Sequence, residues 1–313
     1  MSSVVIIAGP TASGKSRMAI DVARQFDGTV INADSMQVYR ELDLLTSRPP
    51  ADDLNAAEHK LYGVLSASEA CSVGRWLQMA TAEIEGAWSK NRLPIVVGGT
   101  GMYIKALMEG LAPIPDVPVA ARGEATELYE RLGGEEFVTV LAKFDTDAAS
   151  RIPPGDRQRL IRAYEVLVAT GRTLSEWQAE HPATPPLDAD FAVIAVTPER
   201  ADLYASVDAR FDTMMATGAL DEVARLLELN LDPALPAMKA IGVKELAAHL
   251  SGEVDLPTAT ANAAQATRNF AKRQLTWLRN QVTPDLEISA QYSESFREEI
   301  FSFIRHFMLT RHS

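Results

Sequence analysis

Eight residues near the start of the chain have the types and the spacing that bind phosphate. They read Gly9-Pro10-Thr11-Ala12-Ser13-Gly14-Lys15-Ser16, which fits the pattern G-x-x-x-x-G-K-[ST]. The two glycines allow successive backbone N–H groups to turn toward one anion, Lys15 adds a positive charge, and Ser16 offers a hydroxyl to Mg²⁺. The pattern therefore predicts a phosphate-binding loop with Ser16 as its metal ligand.

A carboxylate follows the second strand that the sequence predicts. Residues 29–33 form a short strand that ends at Asp34-Ser35-Met36-Gln37. Ligands of open parallel sheets bind beyond the carboxyl ends of the strands, so we expect Asp34 close to the phosphate loop. On the residues alone, three roles are open to Asp34: a general base, a magnesium ligand or the N-cap of a helix.

A glycine-rich turn follows the third predicted strand. Residues 93–97 are apolar and lead into Gly98-Gly99-Thr100-Gly101, and a helix is predicted over 102–109. This arrangement would bring Thr100 and a second helix N-terminus to the ligand of the phosphate loop. A tight turn without a ligand is the alternative.

Strands and helices that alternate along the chain must position these residues. Residues 4–8 are an apolar run typical of a buried parallel strand, and residues 15–26 repeat apolar side chains at helical spacing. A fourth strand is predicted over 191–196. Helices are predicted to fill the rest of the chain, at 199–217, 220–229, 238–250 and 258–281.

The chain divides where its strands are interrupted. Three prolines within residues 113–118 mark a boundary, and the stretch that follows, to residue 186, predicts helices only. We therefore predict an α/β fold with a parallel sheet flanked by helices, similar to that of P-loop nucleotide-binding proteins. Residues 1–112 and 187–313 form its core, and residues 113–186 form an all-helical insertion domain.

Two helical segments carry basic residues that could contact a polyanion. Residues 156–165 bury apolar side chains at helical spacing and project three arginines. Residues 258–281 carry Arg268, Lys272, Arg273 and Arg279. In both segments the alternative is a solvated face with local ion pairs, such as Arg162 with Glu165. Arg210 lies alone on its predicted helix, where it either reaches the phosphate site or is a surface residue.

Composition narrows the classes of protein. The chain has 313 residues, a net charge of -12 and 47% hydrophobic residues. The charge argues against a general nucleic-acid coating protein, so an RNA partner must be met by local basic patches. The single cysteine, Cys71, excludes a disulfide or a thiolate zinc site within one chain and fits a reducing cytoplasm. No signal peptide or membrane span is expected.

Five blocks of sequence together resemble the bacterial tRNA dimethylallyltransferases, in order and in approximate spacing. They are the phosphate loop at 9–16, Asp34-Ser35, Val97-Gly98-Gly99-Thr100-Gly101-Met102-Tyr103, residues 156–165, and Lys272-Arg273-Gln274-Leu275-Thr276-Trp277-Leu278-Arg279. The resemblance runs from Val4 to about Gln281. Leu45 stands where those enzymes usually have glycine, and Arg48 where they have lysine.

The resemblance implies a prenyl transfer reaction. These enzymes move a dimethylallyl group from dimethylallyl diphosphate to the exocyclic amine of the adenosine 3′-adjacent to the anticodon, in tRNAs that read codons beginning with U, and release diphosphate. The phosphate loop would hold the diphosphate with Mg²⁺ on Ser16. Asp34 would accept the amine proton, Thr100 would hold the reacting groups, and Arg210 would absorb charge as the carbon–oxygen bond opens.

The resemblance also implies partners and a location. The anticodon stem-loop of tRNA would be bound by a cytoplasmic monomer, with the target base extruded into a channel. The implied tRNA contacts are Asp34, Ser35, Met36, Gln37, Thr100, Arg122, Gln158, Arg159, Leu160, Ile161, Arg162, Lys239, Lys244, Arg268, Lys272, Arg273 and Arg279.

Two other functions use the same loop. A relative that prenylates free adenine nucleotides would not need the two basic segments. A small-molecule kinase would turn over ATP without responding to dimethylallyl diphosphate.

Overall fold

Six parallel strands form one sheet in the computed structural model. The structure describes residues 2–310. The two ends of the predicted core, residue 1 and residues 311–313, lie outside this range. The strands are β1 (Ser3–Ala8), β2 (Gly28–Asn32), β3 (Glu58–Lys60), β4 (Leu93–Gly98), β5 (Asp190–Val196) and β6 (Leu286–Ile288). Their order across the sheet is β3-β2-β4-β1-β5-β6. The predicted parallel sheet is confirmed, with β1 at its interior.

Helices cover both faces of this sheet because alternate residues of β1 point to opposite sides. Val4 and Ile6 belong to one apolar cluster, and Val5 and Ile7 to another. The helices of this unit are α1 (Lys15–Phe26), α2 (Ala51–Ala56), α3 (Val73–Ser89), α4 (Gly101–Glu109), α9 (Arg200–Ala216), α10 (Ala219–Glu228), α11 (Val243–Leu250), α12 (Leu256–Gln281) and α13 (Arg297–Thr310). Trp76 of α3 is fully buried in the first cluster, and Met18 of α1 in the second.

Two sequence predictions for this unit are wrong. Helices do not fill the chain after β5, because β6 adds a strand at the sheet edge. The helix predicted over 238–250 is interrupted: a short 3-10 turn at Ala237–Lys239 is followed by Gly242 with φ 95°, and α11 begins only at Val243. A positive φ of this size breaks a right-handed helix and is accessible to glycine at little cost.

The chain forms two compact units. The first comprises the residues up to Met108 and from Leu187 onward, and the second is Glu109–Pro186. The second contains α5 (Val119–Leu141), α6 (Thr146–Arg151), α7 (Arg157–Thr170) and α8 (Leu174–Glu180). Its own apolar core includes Phe137 and Leu160, both fully buried.

Candidate active site

The phosphate loop connects β1 to α1, as the motif predicts. Gly14 is the residue before α1 and has φ 86°, a conformation that favours glycine. A side chain at Gly9 would meet the Ser13 hydroxyl at 2.9 Å. Ser13 Oγ is buried and has no hydrogen-bond partner among the described residues, so the loop keeps an unpaired polar atom beneath its backbone.

Lys15 folds back over the loop. Its Nζ donates a hydrogen bond to the carbonyl oxygen of Pro10 at 3.1 Å. Burial lowers the pKa of Lys15 to about 8; the charge of Asp34 opposes this shift, and the charge of Arg210 adds to it. Lys15, Asp34 and Arg210 therefore lie within electrostatic range of one another.

The backbone at Asp34 is fixed by the buried side chain of Asn32. The Asn32 amide donates to the carbonyl oxygen of Asp34 at 2.9 Å and accepts from its N–H at 2.8 Å. Asp34 Oδ1 accepts from the N–H of Met36 at 2.9 Å, which closes a turn, and no helix follows. The helix N-cap alternative is therefore wrong, whereas a base or a metal ligand fits the position of Asp34.

The glycine-rich turn after β4 packs directly against this segment. The N–H of Ser35 donates to Thr100 Oγ1 at 2.9 Å, and the Thr100 hydroxyl donates to Ser35 Oγ at 3.3 Å. A side chain at Gly98 would lie 2.1 Å from the carbonyl oxygen of Ala33, so only glycine allows this approach. In this structure Thr100 holds Ser35, next to the carboxylate.

Gln274 joins the phosphate loop to the glycine-rich turn. Its Oε1 accepts from the N–H of Thr11 at 2.8 Å, and its amide donates to the carbonyl oxygen of Gly99 at 3.0 Å. Next to it, Trp277 lies against Gly101, where a side chain would come within 2.2 Å of the ring. A polar residue on the buried face of α12, between Ala271 and Leu278, indicates that Gln274 has a partner, but the sequence does not identify that partner.

The C-terminal segment contacts the phosphate loop from another direction. The N–H of Tyr292 donates to the carbonyl oxygen of Ser13 at 3.1 Å, and its hydroxyl donates to Asp21 Oδ2 at 2.7 Å. Arg297 donates to both oxygens of the same buried carboxylate, at 3.1 and 2.8 Å. This segment ties α13 to α1 and follows β6, which the sequence did not predict.

A cavity of about 220 Å³ lies at this end of the sheet. Its wall contains the polar residues Thr11, Asp34, Ser35, Thr46, Arg210, Lys239, Thr267 and Arg273, and the apolar residues Ala12, Met36, Leu45, Val207, Phe211, Met214, Ala240, Ile241 and Phe270. The loop that the motif predicts to bind phosphate thus opens beside an apolar surface, which suits a ligand with one charged and one hydrocarbon end.

Arg210 is half-buried and reaches the phosphate loop. Its Nη1 donates to the hydroxyls of Thr11 and Ser47, each at 3.4 Å, and burial lowers the pKa of its guanidinium. These contacts hold the charge of Arg210 beside the phosphate loop. Of its two predicted alternatives, they favour the one in which Arg210 reaches the phosphate site.

The basic residues predicted on α12 differ in their surroundings. Arg268 forms an ion pair with Asp208 of α9, and Arg273 lines the cavity. Lys272 and Arg279 are exposed, as is Lys244 on α11. Leu275, on the same helix, is buried in one apolar cluster with Ala12 of the phosphate loop.

In the helical unit, the polar residues predicted to contact tRNA are accessible and the apolar ones are buried. Arg122, Gln158 and Arg159 are exposed. The side chains of Leu160 and Ile161 lie in the interior. The local pair anticipated as the alternative is present, since Arg162 Nη1 lies 2.7 Å from Glu165 Oε1.

Two structural features are absent from residues 2–310. No cluster of three or more His, Cys, Asp or Glu side chains is arranged to hold a metal ion. No helix has the length and apolar character needed to cross a membrane.

The chain matches two protein-family models and is similar to curated proteins over nearly its full length. The model of the IPP transferase family matches residues 37–281, and that of the isopentenyl transferases matches residues 2–66. The chain is 52% identical to a tRNA dimethylallyltransferase of Paramagnetospirillum magneticum over 306 residues, which cover 98% of this chain and 97% of the relative. It is 50% identical to the protein of the same name from Rhodospirillum rubrum, covering 98% and 95%.

Solved structures are similar over the same length. The full-length tRNA isopentenylpyrophosphate transferase of Bacillus halodurans is 31% identical with a TM-score of 0.71, covering 98% of this chain and 96% of the other. A eukaryotic dimethylallyltransferase, captured acting on tRNA, is 26% identical with a TM-score of 0.80, covering 98% and 80%.

Proposed function

The chain belongs to the IPP transferase family, the enzymes that prenylate tRNA, and we propose that its donor is dimethylallyl diphosphate and its acceptor the exocyclic amine of the adenosine 3′-adjacent to the anticodon. One observation carries the proposal. The phosphate loop opens into a cavity whose wall holds a carboxylate, Asp34, and an arginine, Arg210, beside apolar side chains.

In this arrangement the diphosphate binds to the loop and the prenyl group lies along the apolar wall. Backbone N–H groups of the loop, Lys15 and Arg210 bind the diphosphate oxygens. As the bond between the allylic carbon and the diphosphate oxygen breaks, the electron pair stays on the diphosphate, and these donors stabilise the growing charge. Gln274 holds the backbone of the loop at Thr11, and Arg210 is held by the hydroxyls of Thr11 and Ser47, so both are in place before the reaction.

The new carbon–nitrogen bond forms at the adenine amine. The nitrogen attacks the allylic carbon, and its proton passes to Asp34. Asn32 fixes the backbone of Asp34, and the N–H of Met36 fixes its Oδ1. Oδ2 accepts no hydrogen bond from the described residues and is available for this proton. The products are the prenylated adenosine and diphosphate.

The residues present also fit Mg²⁺. Ser16 is at the first turn of α1, and its hydroxyl makes no hydrogen bond within residues 2–310. Mg²⁺ usually takes one or two protein oxygens, several waters and substrate phosphates, so the lack of a carboxylate cluster among the described residues does not conflict with it. Bound there, Mg²⁺ would neutralise charge on the leaving diphosphate.

The tRNA contacts belong to the same proposal. Arg122, Gln158, Arg159 and Arg162 of the helical unit, and the exposed basic residues of α12, would bind the phosphate backbone of the anticodon stem. Asp34-Ser35-Met36-Gln37 would meet the extruded base. We propose that the enzyme acts as a monomer in the cytoplasm, where tRNA is found.

The proposal is tested with purified protein, Mg²⁺ and dimethylallyl diphosphate, with unmodified tRNA and AMP as acceptors in parallel. Prenylated adenosine beside the anticodon, no product from AMP, and little product from Asp34→Asn are expected. Folded protein that prenylates only AMP, or that instead turns over ATP rapidly without responding to the prenyl donor, would contradict it.

A further inference from the structure

Glu222, outside the cavity, binds the backbone of a turn that forms part of the cavity wall. Its Oε2 accepts from the N–H groups of Asp43 at 2.9 Å and Leu44 at 2.8 Å, and its Oε1 from that of Leu45 at 3.0 Å. The residue is 4% exposed. One buried carboxylate therefore accepts three successive N–H groups, and hydrogen bonds to a charged acceptor are among the strong ones in proteins.

A carboxylate suits this position because the turn resembles the start of a helix. Within it, the N–H groups of Ser47 and Arg48 donate to the carbonyl oxygens of Leu44 and Asp43. The N–H groups of residues 43–45 therefore have no acceptor inside the turn, as at any helix N-terminus, and the charge of Glu222 faces their partial positive charges.

The other end of the turn is also held. The Gln37 amide donates to the carbonyl oxygens of Thr46 at 2.8 Å and Ser47 at 3.0 Å. Ser47 has φ 52°, in the left-handed region, so its conformation depends on these contacts. Residues 43–47 are thus fixed at their N–H end by Glu222 and at their carbonyl end by Gln37.

The fixed turn shapes the site through three side chains. Leu45 and Thr46 line the cavity, and Ser47 Oγ accepts from Arg210. Leu45 also fills the space beside Gly242, where a side chain would come within 2.8 Å of its methyl group. A displacement of the turn would move part of the apolar wall and one contact of Arg210 together.

We propose that Glu222 is a positioning residue for prenyl transfer, which holds the Leu45–Thr46 wall and the Ser47 hydroxyl where the prenyl donor binds. The identity of the donor rests on the proposed function, whereas the contacts of Glu222 do not. Glu222 touches neither donor nor acceptor, so its replacement should change donor binding more than tRNA binding.

The first test is Glu222→Gln, which keeps the shape but removes the charge and places an amide donor against backbone donors. The KM for dimethylallyl diphosphate should rise about tenfold, the size of effect expected when a charge-assisted hydrogen bond is lost. The KM for tRNA should change less than about twofold, a ratio that corresponds to a few tenths of a kcal/mol. Asp221→Asn is the matched control, because it removes one exposed carboxylate from the same helix turn and should leave both KM values unchanged.

A second measurement does not depend on activity. Hydrogen exchange of a peptide covering residues 43–47 should be faster in Glu222→Gln than in wild type and in Asp221→Asn. Unchanged exchange would overturn the assignment of the contacts, and faster exchange with an unchanged donor KM would overturn the positioning role.

A double-mutant cycle with Leu45→Ala separates positioning from a general loss of stability. Leu45→Ala also changes the turn directly, so it tests the inference even if Glu222→Gln folds poorly. If Glu222 acts through the wall, Leu45→Ala alone should raise the donor KM, and Glu222→Gln should add little to it. Fully multiplicative effects, or a wild-type donor KM in Leu45→Ala, would contradict the inference. A wild-type enzyme that does not prenylate tRNA would instead contradict the proposed function.

Discussion

Replacing Lys15 by methionine should stabilise the ligand-free protein at pH 7 and remove its affinity for pyrophosphate. Burial lowers the pKa of Lys15 from 10.5 to about 8. At about 1.4 kcal/mol per pKa unit, holding the charged amine in the fold at pH 7 costs about 3 kcal/mol. The side chain keeps some exposure and donates to Pro10, so we expect a net gain of about 1–2 kcal/mol in Lys15→Met.

The pH dependence has a defined sign. The unfolded chain keeps the lysine proton up to its ordinary pKa of 10.5, whereas the folded protein releases it near 8. Between these values the unfolded state binds more protons, so wild-type stability rises with pH through this window. Below the folded pKa the cost is fully present. The advantage of Lys15→Met should therefore be largest at pH 7 and should shrink toward pH 10.

Urea denaturation at pH 7 and pH 10 measures both effects, and calorimetric titration measures pyrophosphate binding. Lys143→Met is the control, because it removes an exposed lysine from the helical unit. A Lys15→Met protein that is less stable than wild type at pH 7, or that retains wild-type affinity for pyrophosphate, would refute the reasoning.

Three further variants test individual contacts of the site and of the phosphate loop. Gln274→Leu should lower the free energy of unfolding by about 1–3 kcal/mol, because two partly buried backbone groups lose their partners, and should raise the donor KM in steady-state assays. Asp34→Asn should lower kcat at least about 100-fold with pyrophosphate affinity unchanged by calorimetry; an unchanged kcat would exclude Asp34 as the base. Asp21→Asn should cost about 3 kcal/mol in urea denaturation, because it removes the buried negative charge that pairs with Arg297 and one of the two oxygens that accept from Arg297 and Tyr292; a loss below about 1 kcal/mol would contradict this.

The central strands and the phosphate loop could be predicted from the sequence because their signals are local. Residues 4–8 are continuously apolar, and the motif that follows fixes the loop geometry through its glycines. The edge strands could not be predicted in this way. Glu58-His59-Lys60 is polar and Leu286-Glu287-Ile288 is three residues long, so neither carries a pattern, and pairing with a neighbouring strand alone defines them.

The same distinction applies to the site. Asp34 was predictable because a strand end places it at the sheet edge, whatever the rest of the chain does. Arg210, Gln274 and Glu222 reach their partners across separations of more than 160 residues, and a lone polar residue on a helix gives no sign of its partner. The resemblance to a known family supplied the expected role of Arg210, and the structure supplied its contacts.

The most direct test of the account is a crystal structure with pyrophosphate and Mg²⁺. We predict pyrophosphate oxygens about 3 Å from backbone N–H groups of residues 12–16 and from Lys15 Nζ, with the carboxylate of Asp34 facing the same cavity. An empty loop at saturating pyrophosphate, or pyrophosphate bound elsewhere with Asp34 turned toward solvent, would contradict it.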